Sequence, residues 1–564
     1  FFQEVPEARD WVQVDPDGTP VEYGDRIHQY FRWRGCPSKK EFLRFIRKVI
    51  DVAVKDIQAD VVYFDNMCLF EYHDTLCYCD GCRKGFRAFL KKKYPTRKAM
   101  QRRLGIPNAK DVMPPPFRPW SEHTEKAVPI MDPLIQEFIE FRCEQLADAW
   151  HETYDYIAGT YPGVGLMGNP SFPRKYNERL TSAIDFWRLQ GIPCMYYMEN
   201  AVGAIGIREN ALVSNIRGYK YGRVLDGVRF VPCGGTTEPG LTFCEGLAFN
   251  DGSGKLGAGY EPYLEFFKAN RERFYRGVEP LTEVAVLRHD VSLTWRWHES
   301  FTVMELAQQE LLCAGVPWMP LWGQQLLDGT LDPYKVLVVP GCACLSREEV
   351  DRIAAFAERG GGVVILEKAG TLNEHHRTTD VWHFAPLFAK ARPAEAFELM
   401  RLEGGRRIEF AKPQKAIFAR YGKGHVAYLP RVRKSAEPVK TYEEIGGYDG
   451  FQHLQLPRNW RALSRAVEKA AAGPLSARVI GPTTVAAEFL RKGGRTLVHL
   501  VNYETTRVKA GVEVAFADKI KSATLYVPDK GKDGRKLKAV KADGGGSRFR
   551  LPAFARYALV VAEG

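Results

Sequence analysis

Three cysteines stand within six residues at Cys77-Tyr78-Cys79-Asp80-Gly81-Cys82. Thiols this close cannot all pair with one another without strain, but they can converge on one tetrahedral Zn²⁺ that needs a fourth ligand. Cys36, in RGCPSKKEF, is the natural fourth. Four thiolates leave no open coordination position, so such a zinc is structural and not a Lewis acid. His73, inside the same loop, is then a bystander. The second kind of chemistry lies at the ends of apolar runs. ADVVYF ends in Asp65-Asn66, VGLMGN in Asn169, and CMYYMEN in Glu199-Asn200, while VRFVPCGG is followed by Glu238. Carboxylates at the C-terminal mouths of buried parallel strands are where barrel enzymes keep their reacting groups. Asp65, Glu199 and Glu238 are therefore the candidate catalytic residues. An apolar wall around Glu199 would raise its pKa toward the range of a general acid. Glu71 is as well explained by the surface, and Glu245, in a predicted helix, by structure.

The elements that must position these groups alternate. Ser38–Ile57 repeats apolar residues at three and four, which predicts an amphipathic helix feeding the strand that ends at Asp65. Arg83–Tyr94 predicts a helix with Phe86, Phe89 and Leu90 on one face. Asp132–Thr160 predicts a long helix leading to the strand that ends at Asn169. A helical stretch is expected around Asn210–Gly222, before the strand VRFVP. Residues 10–36 read as a turn-rich, aromatic-laced loop with DPDG as the turn, and 107–119 as an irregular excursion. Strands spaced by helices of this length indicate βα units and a parallel sheet. Four or five such units precede about residue 280, whereas a closed (β/α)8 TIM barrel needs eight. The first strands are expected to lie before Phe1.

From Leu281 the pattern changes. EVAVLRHD, KVLVVPG and GGGVVILEK are strands, Ser300–Ala314 and SREEVDRIAAFAER helices, and the unit ends near GKGHVAYLPRV, a doubly wound α/β domain. Beyond Ala477 the runs TTVAAEFL, TLVHLVNY, VEVAF, SATLYV and ALVVA alternate as the short strands of an antiparallel β-sandwich. The expected division is 1–280 barrel, 281–436 α/β domain, 437–473 connector with a helix, and 474–564 sandwich.

Composition narrows the partners. At 564 residues the chain should form about three or four domains. No apolar run is long enough to span a bilayer, and the cysteine spacing gives no disulfide framework. The net charge of +12 is dispersed, concentrated locally at Lys91-Lys92-Lys93 and across 519–541. It lacks the aromatic interleaving of a nucleic-acid surface. Neither nucleic acid nor membrane is expected as a partner. The compartment is not legible from the chain's beginning, with the cytoplasm as the expectation.

Cys36…Asp65-Asn66…CYCDGCRKGFRAFLKKKY resembles the catalytic barrel of family 42 glycoside hydrolases, the thermophile-type β-galactosidases. There, a Cys-x-Cys-x-x-Cys zinc cluster and a helix beginning with a Phe-Arg pair (here Phe86-Arg87) follow the fourth strand. VLVVPG, AAFAERGGGVVIL and GKGHVAYLP are similar to that family's glutaminase-like trimerisation domain. The resemblance implies a glycosidase working through two carboxylates on a terminal sugar or short oligosaccharide, and a homo-oligomer, a trimer. Asn66, Asn169 and Asn200 would bind sugar hydroxyls, and Tyr197 and Trp187 would stack on sugar faces; Tyr63, Phe64 and Tyr196 are further aromatics near the same mouths. One departure stands out. The family's acid/base Glu follows the Asn of the fourth strand, where this chain has Met67, and VRFVPCGG carries no Glu for the nucleophile. The chain is then a sister family with relocated carboxylates. The alternative is a non-catalytic carbohydrate-binding protein on a degenerate barrel.

Overall fold

The computed structural model describes residues 5–564 apart from 24–28, 66–67, 70–76, 117, 119–121, 124–125, 127, 170–176, 199–204, 227, 233–238, 250–258, 392–399, 404–405, 410–414, 431–453, 472, 505–509 and 541–544. The chain divides into two units, the first made of Phe1–Glu199, Leu225–Val231 and Thr294–Trp297, the second of the remainder.

In the first unit, helix α1 (Lys40–Asp51) runs on through a π turn to Asp56 and delivers strand β1 (Val61–Phe64). Helix α2 (Asp80–Lys93) follows, then the 28-residue helix α3 (Pro133–Thr160). Asp132 caps α3, accepting from the Leu134 and Ile135 amides at 2.7 and 3.2 Å, which satisfies donors that have no partner in the helix itself. Strands β2 (Gly165–Gly168), β3 (Cys194–Met198) and β4 (Val228–Pro232) complete a four-stranded sheet in the order β1-β2-β3-β4. The β1–β2 and β2–β3 pairs are parallel.

Helices cover one face of this sheet. Phe64 packs edge-on against Trp150 of α3 at 5.1 Å. Tyr63 and Met195, aligned across the sheet through Met167, point the other way and are 46% and 41% exposed. Phe86 of α2 is fully buried between Phe138 and Phe141 of α3, with ring centroids at 5.0 and 5.5 Å, a burial that stabilises by about 2–3 kcal/mol. Between α3 and the approach to β3, Arg179 pairs with Glu140 and, at 3.2 Å, with Asp185, while Arg188 reaches Glu140 at 3.2 Å and Asp185 at 3.4 Å.

Two expectations are corrected. Residues expected to be helical from Asn210 instead form a hairpin, Gly206–Arg208 with Ala211–Val213. Its turn residues Glu209 and Asn210 both have positive φ, 46° and 63°, the backbone a two-residue hairpin turn demands. Within the loop expected at 10–36, Glu22–Tyr23 pairs antiparallel with Gln29–Trp33.

In the second unit, helix α4 (Ile216–Val224) is buried over most of its length. Strands β5 (Val284–Arg288), β6 (Trp318–Trp322), β7 (Val336–Pro340), β8 (Gly362–Leu366), β9 (Ile417–Tyr421) and β10 (Gly424–Leu429) form a sheet ordered β6-β5-β7-β8-β10-β9. It is parallel except for the β9–β10 hairpin, and every residue of β5 to β8 is buried. Helices α5 (Trp297–Cys313) and α6 (Arg347–Arg359) belong to it, α6 opened by a reciprocal Ser346–Glu349 cap. Strand order reverses about β5, as in doubly wound sheets.

The C-terminal strands lie in two antiparallel sheets. One joins β11 (Ala477–Ile480), β14 (Glu513–Phe516) and β16 (Ser547–Arg550); the other joins β12 (Val485–Lys492), β13 (Arg495–Asn502), β15 (Ser522–Tyr526) and β17 (Tyr557–Glu563). Val479, Val514 and Phe549 of the first share a core with Phe489, Val498, Leu525 and Val560 of the second. Among the described residues every cysteine is free and no helix is long and apolar enough to cross a membrane.

Candidate functional site

The cysteines separated in sequence meet in space. The sulfurs of Cys36, Cys77, Cys79 and Cys82 all lie within 4.8 Å of one another and are buried. From Cys36 Sγ the distances are 3.4 Å to Cys82, 3.6 Å to Cys77 and 3.8 Å to Cys79. A tetrahedral ion with sulfur ligands at about 2.3 Å sets its sulfurs about 3.8 Å apart, so this cluster fits a divalent soft metal. Hydrogen bonding among the thiols splits them: contact with Cys36 first, then Cys77, lowers Cys82 to about 6, whereas Cys36 is pushed well up, first by Cys77. Four crowded sulfurs without a cation cannot all ionise.

Local sequence explains how the cluster closes. Tyr78 donates its amide to Val14 O at 2.7 Å and its hydroxyl to Pro115 O at 2.8 Å, pinning the loop between Cys77 and Cys79. Cys82 sits in the first turn of α2 and Cys36 just ahead of α1. Gly81 is required between them, because a Cβ there would lie 2.5 Å from Ser38 Oγ and 2.9 Å from Ser38 Cβ. Ser38 Oγ itself lies 3.0 Å from Cys36 Sγ and 3.3 Å from Cys79 Sγ. From α3, the fully buried Arg142 donates Nη1 to Cys82 Sγ at 2.9 Å and to Gln145 Oε1 at 2.6 Å.

The candidate carboxylate is at the same end of the sheet. Asp65 directly follows β1 and Asn169 directly follows β2, and the Asn169 amide extends the ladder to Phe64 O at 3.0 Å. Asn169 Nδ2 donates to Asp65 Oδ1 at 3.0 Å, and the Tyr63 hydroxyl lies 3.3 Å from the same oxygen. Asp65 is exposed while Asn169 is buried, so a fixed amide holds a carboxylate that faces solvent. Gln13 ties this rim to the cysteine loop, donating Nε2 to Gly35 O at 3.2 Å, beside Cys36, and to Leu69 O at 2.7 Å, four residues past Asp65.

Other sequence candidates lie elsewhere. Trp187 lies in a turn ahead of β3, its amide bonded to Asp185 Oδ1 at 3.1 Å, and the carbonyl of the next residue, Arg188, meets His151 of α3 at 2.8 Å. Glu245 is buried and accepts from the Asn215 amide at 3.0 Å and the Tyr503 hydroxyl at 2.6 Å, a structural role. Tyr196 is buried against Phe186 at 6.1 Å. Asn66, Met67, Glu71, His73, Glu199, Asn200 and Glu238 lie outside the described residues, as does the side chain of Tyr197. Sequence reasoning missed Arg142, although a cation one residue after Phe141 and four after Phe138, on the apolar face of α3, is a readable signal.

No family model matches the chain. Over 423 residues it is 23% identical to "Beta-galactosidase LacZ" of Heyndrickxia coagulans, a match that covers 65% of this chain and 60% of that protein. The chain thus spans less than two thirds of that relative's length. The cold-adapted β-galactosidase of Rahnella sp. R3 superposes with a TM-score of 0.62 at 15% identity, covering all of this chain and 86% of that one. A catalytic mutant of Gan42B, a GH42 β-galactosidase from G. stearothermophilus, gives 0.57 at 13% identity, over all of this chain and 86% of that one. The chain is similar in fold to these β-galactosidases over its whole length. Within this fold the described rim offers Asp65, held by Asn169, beside a four-cysteine cluster able to hold a metal.

Proposed function

We propose that this chain is a glycoside hydrolase of β-galactosidase type, acting on a terminal sugar or short oligosaccharide by a two-carboxylate mechanism. One observation carries the reading: Asn169 fixes Asp65 at the C-terminal ends of adjacent parallel strands, on the rim that also bears the cysteine cluster. The proposed frame is a (β/α)8 barrel of which residues 1–280 supply the four strands of the described sheet. It is supported by parallel strands in sequential order with helices on one face, and by the Tyr63–Met167–Met195 row on the face away from them. A glutaminase-like domain at 281–436, a connector at 437–473 and a sandwich at 474–564 complete the assignment, and by resemblance the middle domain makes the chain a homo-oligomer, a trimer.

Asp65 is one carboxylate, with Glu199 or Glu238 as its partner across the cleft, and Asn66, Asn169, Asn200, Tyr197 and Trp187 orient the sugar. A separation of about 5–5.5 Å between the two carboxyl groups gives retention, and about 6.5–9.5 Å inversion. Cys36, Cys77, Cys79 and Cys82 would hold a structural Zn²⁺, whose contribution is to fix the loop after β1 and with it one wall of the cleft. The enzymes this fold resembles favour hydrolysis over a binding-only barrel. Turnover of an aryl-glycoside panel by the wild type, Asp65→Asn, Glu199→Gln and Glu238→Gln tests the reading. Activity on one aryl glycoside that collapses in Asp65→Asn and in one Glu variant is the expected result; undiminished activity in all three overturns the assignment.

A further inference from the structure

We infer that Arg142 is a positioning residue of the cysteine cluster, whose charge and hydrogen bond to Cys82 set how tightly the metal is held. The inference rests on reading the cluster as a zinc site. Four thiolates around Zn²⁺ leave two net negative charges, and the sulfurs are buried, where uncompensated charge is costly. Arg142 meets a sulfur of the cluster directly: it is fully buried, and Nη1 lies 2.9 Å from Cys82 Sγ. It halves the net charge of the loaded site. Its direction is set by Gln145, one turn along α3, whose Oε1 accepts from the same Nη1 at 2.6 Å while its Nε2 lies 3.8 Å from Cys82 Sγ. Ser38 contributes a neutral hydroxyl, 3.0 Å from Cys36, 3.3 Å from Cys79 and 3.7 Å from Cys82. Of these two contacts with the cluster, the one from α3 brings the charge. Partners of this kind typically govern metal affinity by about 10–100-fold.

Competition of the zinc-loaded full chain against a chromophoric chelator measures that grip. Arg142→Gln is expected to release zinc at chelator concentrations about 10–100-fold lower than the wild type, and Arg142→Lys, which restores the charge, to recover most of the loss. Gln145→Glu leaves Arg142 in place but presents it with a competing carboxylate at a half-buried position. It is expected to weaken zinc by less than Arg142→Gln does but by more than about twofold, and it decides the question should Arg142→Gln fail to fold. With Co²⁺ in place of zinc, the sulfur-to-metal charge-transfer band should move to longer wavelength in Arg142→Gln, since sulfur stripped of a cationic donor gives up electron density more easily. A packing role would leave that band unmoved. Zinc retention within about twofold of wild type in both Arg142→Gln and Gln145→Glu, with an unshifted cobalt band, overturns the inference. A wild-type chain that binds neither zinc nor cobalt overturns the zinc reading itself.

Discussion

Asp65→Asn is the sharpest perturbation of the proposed site, because the structure separates its effect on chemistry from its effect on folding. Asp65 is exposed, and its Oδ1 accepts from Asn169 at 3.0 Å and lies 3.3 Å from the Tyr63 hydroxyl. An asparagine in the same rotamer keeps a carbonyl oxygen at that position, so both contacts survive as neutral hydrogen bonds. The loss in stability is then about 1 kcal/mol or less. What vanishes is the capacity to carry a proton or to attack an anomeric carbon. Removing a general acid or base costs about 10²–10⁴-fold in rate, equivalent to about 2.7–5.4 kcal/mol of barrier. The assay pairs steady-state kcat on the best aryl glycoside with a urea unfolding curve of the same preparation. The expected result is a fall in kcat by at least two orders of magnitude at an unchanged urea midpoint. A variant with kcat within tenfold of wild type removes Asp65 from the chemistry. A variant whose midpoint collapses together with kcat would show that the carboxylate serves the fold.

Four further outcomes follow from the geometry. Cys82→Ser should lower bound zinc and the unfolding temperature together, as read by metal analysis and calorimetry; full zinc occupancy would refute the ligand set. Gly81→Ala, which drives a methyl group into Ser38, should cost about 1–3 kcal/mol in chemical unfolding, and an unchanged midpoint would mean that Ser38 yields freely. Burial pushes the Glu140 carboxyl up, but Arg179, Lys93 and Arg188 outweigh it and hold Glu140 at about 2. Its contribution is therefore complete above the ordinary glutamate range and lost as pH falls toward 2; Glu140→Gln, which leaves Arg179 and Arg188 paired with Asp185 alone among the buried carboxylates, should cost about 1–3 kcal/mol at neutral pH. Burial holds the His499 imidazole down at about 3, its Nδ1 bonded at 2.7 Å to the Tyr557 hydroxyl. The stability it permits is complete above about pH 6.5 and falls by about 1.4 kcal/mol per pH unit toward pH 3. His499→Phe should flatten that slope, and an unchanged slope assigns the acid lability elsewhere.

What the sequence revealed depended on how local the information was. The strand ending at Asp65, the thiols at 77, 79 and 82, and the capped helix beginning at 133 are written within a few consecutive residues, and each forms where its pattern places it. Cys36 was recoverable because metal chemistry demands a fourth ligand. The Asn169–Asp65 bond spans 104 residues and the Arg142–Cys82 bond 60; no periodicity encodes such pairings, which emerge only once strands register and helices pack. The helix expected around Asn210–Gly222 forms over Ile216–Val224 but not at Ala211–Val213, where the positive-φ residues Glu209 and Asn210 make a hairpin turn that the composition does not announce.

Helix α4 lies in sequence between strands of the first unit yet belongs to the second. There Lys220 and Arg223 both grip the buried Glu488 of β12, Lys220 also donates to Trp318 O at 3.0 Å, and Arg217 meets Glu305 at 3.5 Å. Scissors applied at residue 280 would strand three cations on one fragment and their carboxylates on the other. Each piece would expose charged groups that the intact chain keeps buried and paired, so the order of modules along the gene is no guide to where the molecule comes apart.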